Sequence, residues 1–452
     1  MLDIVTYGMS KLIPSALNFF SITYFARMLG PDQYGTLSLV TSGATLLGSL
    51  VLQWPLHYLI RFYSATEYSP KQLTHSLLLM QVLTLFVATC GLLVAGVWSG
   101  SFVWFGCLAV FTVSQSLFAF TLRVHNVRED RSEYLKLNIG RSVLYFLFGY
   151  LVIKWWGPSY VSVALAGVFA YLLTSLFSYP RDSFSKSMLV RIPNANRYII
   201  PVMLSNGLLL SFDTLPRYLL SHFHTSAVTG VFSINYEIIQ FSLQSLITVT
   251  LLTTGPLLFK KYEKGGLAEA FLVLDRIVTY CAVLAVPAMV VLAFVIDPVV
   301  KIVSGKDFVQ SSGSTNFLIA VGATLSGIKI VLFDQILLMH KKALLLFKLN
   351  IAGFLVNALL CVLLIPPYGA FGAALSVMTA FLFLFVIGAI STFKDLALTE
   401  WAHKHLFWTA IWILIAAVLM VFSDFFQTRV VSVLAVLSAL WLLHVWRFMW
   451  EK

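Results

Sequence analysis

Apolar segments about twenty residues long follow one another along almost the whole chain, separated by short polar breaks. The hydrocarbon core of a bilayer is ~30 Å thick, and a helix rising 1.5 Å per residue crosses it in ~20 residues. The pattern predicts about fourteen such helices, near 9–29, 35–60, 73–97, 102–123, 137–156, 159–179, 198–220, 228–258, 268–297, 315–339, 344–365, 369–391, 406–423 and 430–447. The expected fold is an all-α integral membrane protein with two six-helix bundles, an N- and a C-lobe, plus two C-terminal helices. The longest break, Pro180 to Tyr198, sets the expected boundaries. These are an N-terminal bundle over 1–180, a cytoplasmic linker over 181–197, a C-terminal bundle over 198–391, and helices thirteen and fourteen within 392–452.

Composition narrows the class further. Of 452 residues, 59% are hydrophobic and 11% charged, against roughly 25% charged in a soluble domain. No sizeable soluble domain fits. The net charge of +11 sits in short loops rather than on one face, which argues against nucleic acid. Lys and Arg collect in alternate breaks, as in Arg123, Arg128, Arg131 and Lys136, or Lys260, Lys261 and Lys264. The opposite side offers only Arg27, Lys154, Arg217, Lys301, Lys306 and Arg429. The richer side is expected to be cytoplasmic, with both termini there. The first helix lacks the basic start and cleavage site of a signal peptide, so it is expected to be retained.

The four cysteines, Cys90, Cys107, Cys281 and Cys361, lie in apolar runs without metal-like spacing. No phosphate-binding glycine loop and no His- or Cys-rich metal motif occurs; Gly305-Lys306 lacks the upstream glycine. The expected chemistry is translocation, not catalysis, with no cofactor and no metal.

Polar groups inside the spans then become the candidates, because a charge at the bilayer centre costs roughly 2.5–3.5 kcal/mol and normally faces a cavity or a partner. Asn206, Asp213 and Arg217 share one face of span seven; Asp213 and Arg217 could simply pair. Ser233, Glu237, Gln240, Gln244 and Thr248 form a polar stripe in span eight, either for bonds between helices or for a water-filled cavity. Gln53, His57 and Arg61 repeat at steps of four around Pro55, and Arg61 could equally be an interfacial anchor. Span four offers Gln115 and Arg123; span five offers Asn138, Arg141 and Tyr145. Positive-inside bias alone could explain Arg123 and Arg141. Lys329 and Asp334 are five residues apart, about 140° around a regular helix. They are not expected to be neighbours, which leaves Lys329 as an anion contact. Tryptophans such as Trp98, Trp155, Trp156 and Trp401 mark span ends.

Weak echoes relate the halves. Tyr34-Gly35 follows span one as Thr229-Gly230 follows span seven. Gly157-Pro158 enters span six as Pro367-Tyr368-Gly369 enters span twelve. Six spans separate each pair, so a repeat would be parallel.

Three motifs carry a family resemblance. They are Ala26-Arg27-Met28-Leu29-Gly30-Pro31-Asp32-Gln33-Tyr34-Gly35; Ser304-Gly305-Lys306-Asp307-Phe308; and Asn350 and Asn357 followed by Leu364-Ile365-Pro366 and Gly369-Ala370-Phe371-Gly372-Ala373-Ala374. In this order and spacing the chain resembles Wzx-type O-antigen flippases of the polysaccharide transporter family, in the multidrug/oligosaccharidyl-lipid/polysaccharide exporter (MOP) superfamily. The resemblance implies alternating access by two bundles in the bacterial cytoplasmic membrane. The implied substrate is a polyprenyl-diphosphate-linked oligosaccharide, flipped to the periplasmic leaflet. Membrane lipid and the polysaccharide polymerase machinery are candidate partners, and H⁺ or Na⁺ are candidate coupling ions.

Helical position then suggests roles. Arg61, Arg123, Arg141, Arg217 and Lys329 are candidate diphosphate contacts. Gln53, Asn138, Asn206, Gln240 and Gln244 are candidate glycan contacts. Asp213 and Glu237 are candidates for coupling or gating. Alternatives are a cation or drug antiporter or a lipid II flippase of the same superfamily, and, less favoured, a membrane glycan polymerase or ligase.

Overall fold

The computed structural model describes residues 2–63, 69–128, 130–178, 196–309, 313–340 and 342–392. Spans thirteen and fourteen, with Trp401, lie outside them. The described residues are helical almost throughout and contain no strand. In order they are α1 (Leu2–Leu47), a π-turn (Gly48–Leu52), α2 (Trp54–Phe62), α3 (Pro70–Ser99), α4 (Phe102–Val127), α5 (Arg131–Trp156) and α6 (Tyr160–Ser178). Then come α7 (Asn196–Phe223), α8 (Ser226–Val303), a 3₁₀ turn (Lys306–Phe308), α9 (Gly313–Val331), α10 (Phe333–Met339) and α11 (Ala343–Thr392).

Eight helical stretches among the described residues are long and apolar enough to cross a membrane. Two of them, at 37 and 50 residues, far exceed the ~20 that one crossing needs, and each contains a break. Gly30 (φ 71°) divides α1, and Gly369 (φ 54°) divides α11. Gly266 (φ 68°) divides α8 in the same way. Left-handed backbone is cheap only for glycine, so these residues fix where the chain reverses. Counting both legs of each broken helix, the described residues carry the first twelve expected spans. Of the three motifs that carry the resemblance, the first falls on the Gly30 break, the third on the Gly369 break, and the second on a separate turn at Gly305. Gln33 accepts a hydrogen bond from the Tyr160 backbone N–H (3.1 Å) at the start of α6. In α11, the backbone of Gly372 lies against the Leu364 carbonyl, too close for any side chain.

Many large apolar side chains point outward, including Phe86, Val94, Leu359 and Ile390. In water this would be unstable; against lipid it is expected. Trp98 (93% exposed), Trp155 and Trp156 stand free at helix ends, as interfacial anchors do.

By packing, the chain divides into two compact units, 1–230 and 231–452. This boundary falls beyond α7; of the 181–197 segment expected as a linker, only 196–197 lie within the described residues. The reason is what α7 touches. The Tyr218 hydroxyl donates to the Leu39 carbonyl (3.1 Å), Gly207 accommodates Leu50, and Ile199 joins a core with Leu59, Leu77 and Phe120. The echoed glycines meet reciprocally in this unit. Gly35 lies on the Ser226 carbonyl, and Gly230 lies on the Pro31 carbonyl. In the second unit, Leu274, Leu332, Phe333 and Ile336 form a core against Phe385. The Gly305 turn is pinned by buried Phe308, whose carbonyl accepts from Asn235 Nδ2 (3.0 Å).

Candidate functional site

Two places in the first unit gather polar side chains. One is Arg141 on α5. Its guanidinium donates to Asn18 Oδ1 (2.9 Å) and to Ser142 Oγ (3.0 Å). It lies 5.9 Å from the ring centre of Phe118 and 5.5 Å from that of Tyr171. Among the described residues, two aromatic faces and one amide orient the cation and no carboxylate pairs with it. Asn138, one turn away, donates its amide to the Tyr134 carbonyl (3.0 Å) within its own helix.

The second place is the π-turn. Pro55 has no N–H to give to the carbonyl four residues earlier, and its ring crowds that carbonyl. The helix widens over Gly48–Leu52 and restarts at Trp54. Gln53 sits at the junction, and its carbonyl accepts from Leu56 and His57 (3.1 and 3.2 Å). Widening leaves a cavity of about 70 Å³, lined by Gln53 with Thr45, Gln81, Gln115 and Ser116 among its polar residues. The Gln115 amide donates to Thr45 Oγ1 (3.1 Å). Gln81 is fully buried. Gln81 was not singled out in the sequence, although a lone amide deep in so apolar a span as α3 was a readable signal.

Of the Gln53, His57 and Arg61 trio, only Gln53 lines this cavity. His57 is acted on electrostatically by Arg123 of α4, which is half-buried. Arg61 lies on α2, and its side chain is outside the described residues. On α7, Arg217 is buried (6% exposed), Asp213 is half-buried and Asn206 is exposed. Asp213 and Arg217 both make polar or electrostatic contacts.

In the second unit, Glu237, Gln240 and Gln244 are half-buried on α8, while Ser233 on the same stripe is fully buried. Lys329 corrects an expectation. Its ammonium donates to Asp334 Oδ2 (3.0 Å) and to Asn350 Oδ1 (2.8 Å), and it is 2% exposed. The 140° separation assumed a continuous helix. The helix breaks at Leu332 (φ −98°, ψ −72°) between α9 and α10, which swings Asp334 back to Lys329. The Asn350 that carries part of the family resemblance completes this buried cluster. Among the described residues, no group of His, Cys, Asp and Glu could hold a metal ion.

No protein-family model and no curated protein sequence matches the chain. Solved structures do. The lipid II flippase MurJ in its inward closed conformation is similar over 96% of this chain and 98% of that one, with a TM-score of 0.73 and 13% identity. An inward-facing multidrug resistance MATE family transporter of the MOP superfamily is similar over 87% and 99%, with a TM-score of 0.64 and 14% identity. The MATE multidrug transporter DinF-BH is similar over 87% and 94%, with a TM-score of 0.61 and 12% identity. At such identities the likeness is one of fold. This chain has the all-helical fold of MOP superfamily transporters.

Proposed function

We propose that this protein is a MOP-type flippase that moves a polyprenyl-diphosphate-linked oligosaccharide, such as an O-antigen repeat unit, from the cytoplasmic to the periplasmic leaflet. The observation that carries this reading is the cation built into the first unit. Arg141 is held by Phe118, Tyr171 and Asn18 with its charge intact. Among the described residues no carboxylate pairs with it; a membrane helix retains such a guanidinium against a substantial cost, and a diphosphate is the head group that repays it, through charge-assisted bonds. The likeness in fold to a lipid II flippase agrees with a lipid-linked substrate.

In this reading Arg61, Arg123, Arg141 and Arg217 receive the diphosphate. Gln53, Asn206, Gln240 and Gln244 receive the glycan. Asp213 and Glu237 gate the change of access, with H⁺ or Na⁺ as the candidate driving ion. The chain sits in the cytoplasmic membrane with both termini inside, and passes its product to polymerase machinery outside. The mechanism is alternating access by two six-helix bundles, the type of motion that a parallel repeat supports.

The test compares membranes of cells with and without the gene. Polyprenyl-linked glycans are extracted, identified by mass spectrometry, and probed with a periplasmic sugar-modifying reagent. Build-up of one reagent-inaccessible glycan lipid on deletion, reversed by the wild-type gene, is the expected result. An unchanged glycan-lipid pool with altered sensitivity to toxic cations sinks the flippase reading and favours multidrug transport, the function named for the MATE structures.

A further inference from the structure

The cavity at the π-turn has unmet hydrogen-bonding capacity of a particular kind. Gln81 is fully buried, and neither atom of its amide has a partner. Gln115 spends its N–H on Thr45 and leaves Oε1 unmet. A buried polar group left unsatisfied forfeits its bonds to water without replacement, and native interiors leave few of them. At about 70 Å³ the space exceeds the ~10–15 Å³ that one water needs, so a small polar group fits.

Charge selects the occupant. Every lining side chain is neutral, with Gln53 and Ser116 beside the two glutamines and Leu52 and Leu56 on the apolar wall. An ion entering would lose its hydration with no opposite charge to replace it. The complement of this lining is a neutral group with a donor, an acceptor and a small apolar part. An amide bearing a methyl group has all of these. Its carbonyl can accept from Gln81, its N–H can donate to Gln115 Oε1, and its methyl can rest on the leucines.

We propose that this cavity receives the acetamido group of an N-acetylated sugar in the transported glycan lipid, with Gln81 and Gln115 as specificity-determining residues. The inference rests on the flippase reading and narrows its substrate class.

The test uses the full chain in lipid nanodiscs and two probes: undecaprenyl diphosphate carrying N-acetylglucosamine, and the same lipid carrying glucose. The wild type is expected to bind the acetamido lipid about tenfold more tightly. Gln81→Leu should bring that ratio to about one, while melting at or above the wild-type temperature because an unmet buried amide has gone. Gln115→Met should lose the ratio too, and serves if the first variant does not fold. Equal wild-type affinity for both lipids means the cavity holds only water, which overturns the acetamido site and leaves the flippase reading standing. A wild-type preference retained in both variants also overturns the site. Binding of neither lipid overturns both readings.

Discussion

Two membrane cations, Lys329 buried and Arg141 half-buried, illustrate how single side chains divide the work. Lys329 is satisfied internally by Asp334 and Asn350, so its first role is to hold α9, α10 and α11 together. Removing one member of a buried pair strands the other charge, at a cost of about 3–5 kcal/mol, whereas replacing both is often neutral. Lys329→Met should therefore lower the unfolding temperature of the detergent-purified protein sharply, and Lys329→Met with Asp334→Leu should restore most of it. Glycan-lipid transport restored along with stability is the expected result, with Lys329 taking no part in holding the diphosphate. Arg141 is the opposite case, because its partners leave its charge intact. Lysine has no planar face to lie between Phe118 and Tyr171. Arg141→Lys should thus leave the protein abundant in membranes yet reproduce at least half of the deletion strain's glycan-lipid build-up. Full complementation by this variant would argue against a guanidinium-specific contact.

Helices in lipid gain nothing from burying apolar surface against one another, so close approach at small residues does much of the packing. The Gly35–Gly230 crossing is such a place, with each glycine against a carbonyl of the other helix. Gly35→Val or Gly230→Val should reduce the level of folded protein several-fold, as judged by monodisperse yield after extraction. Gly91→Ala, on the exposed face of α3 with open space beside it, should match or slightly exceed the wild type. The π-turn and the break at Leu332 are the other decisive features of this kind. Pro55 is the sequence signal of the first, although the span over 35–60 was read as continuous. No proline or glycine marks Leu332, so the Lys329–Asp334 pair was hidden behind the assumption of a regular helix.

For the molecule as a whole, the asymmetry of Lys and Arg makes a prediction about topology. In a variant lacking the native cysteines, Lys154→Cys and Lys306→Cys should react with a membrane-impermeant maleimide added to intact spheroplasts. Lys264→Cys and Lys342→Cys should react only after the membrane is opened. Labelling of Lys264→Cys from outside would invert the proposed orientation and, with it, the direction of flipping.

Span positions and reversal points were legible in the sequence because they depend on local properties: segment length against bilayer thickness, and glycine where φ turns positive. Gly30 and Gly369 could be placed by reading alone, and Gln53 could be picked from its stripe. The grouping of α7 with the first unit, the meeting of Gln53 with Gln81 and Gln115, and the capture of Lys329 by Asp334 could not be. Each depends on which faces of distant helices come together, and in a chain apolar on nearly every face, periodicity carries little information about that. Only the packed helices select the partners, because a buried polar group must find one and the nearest is set in three dimensions.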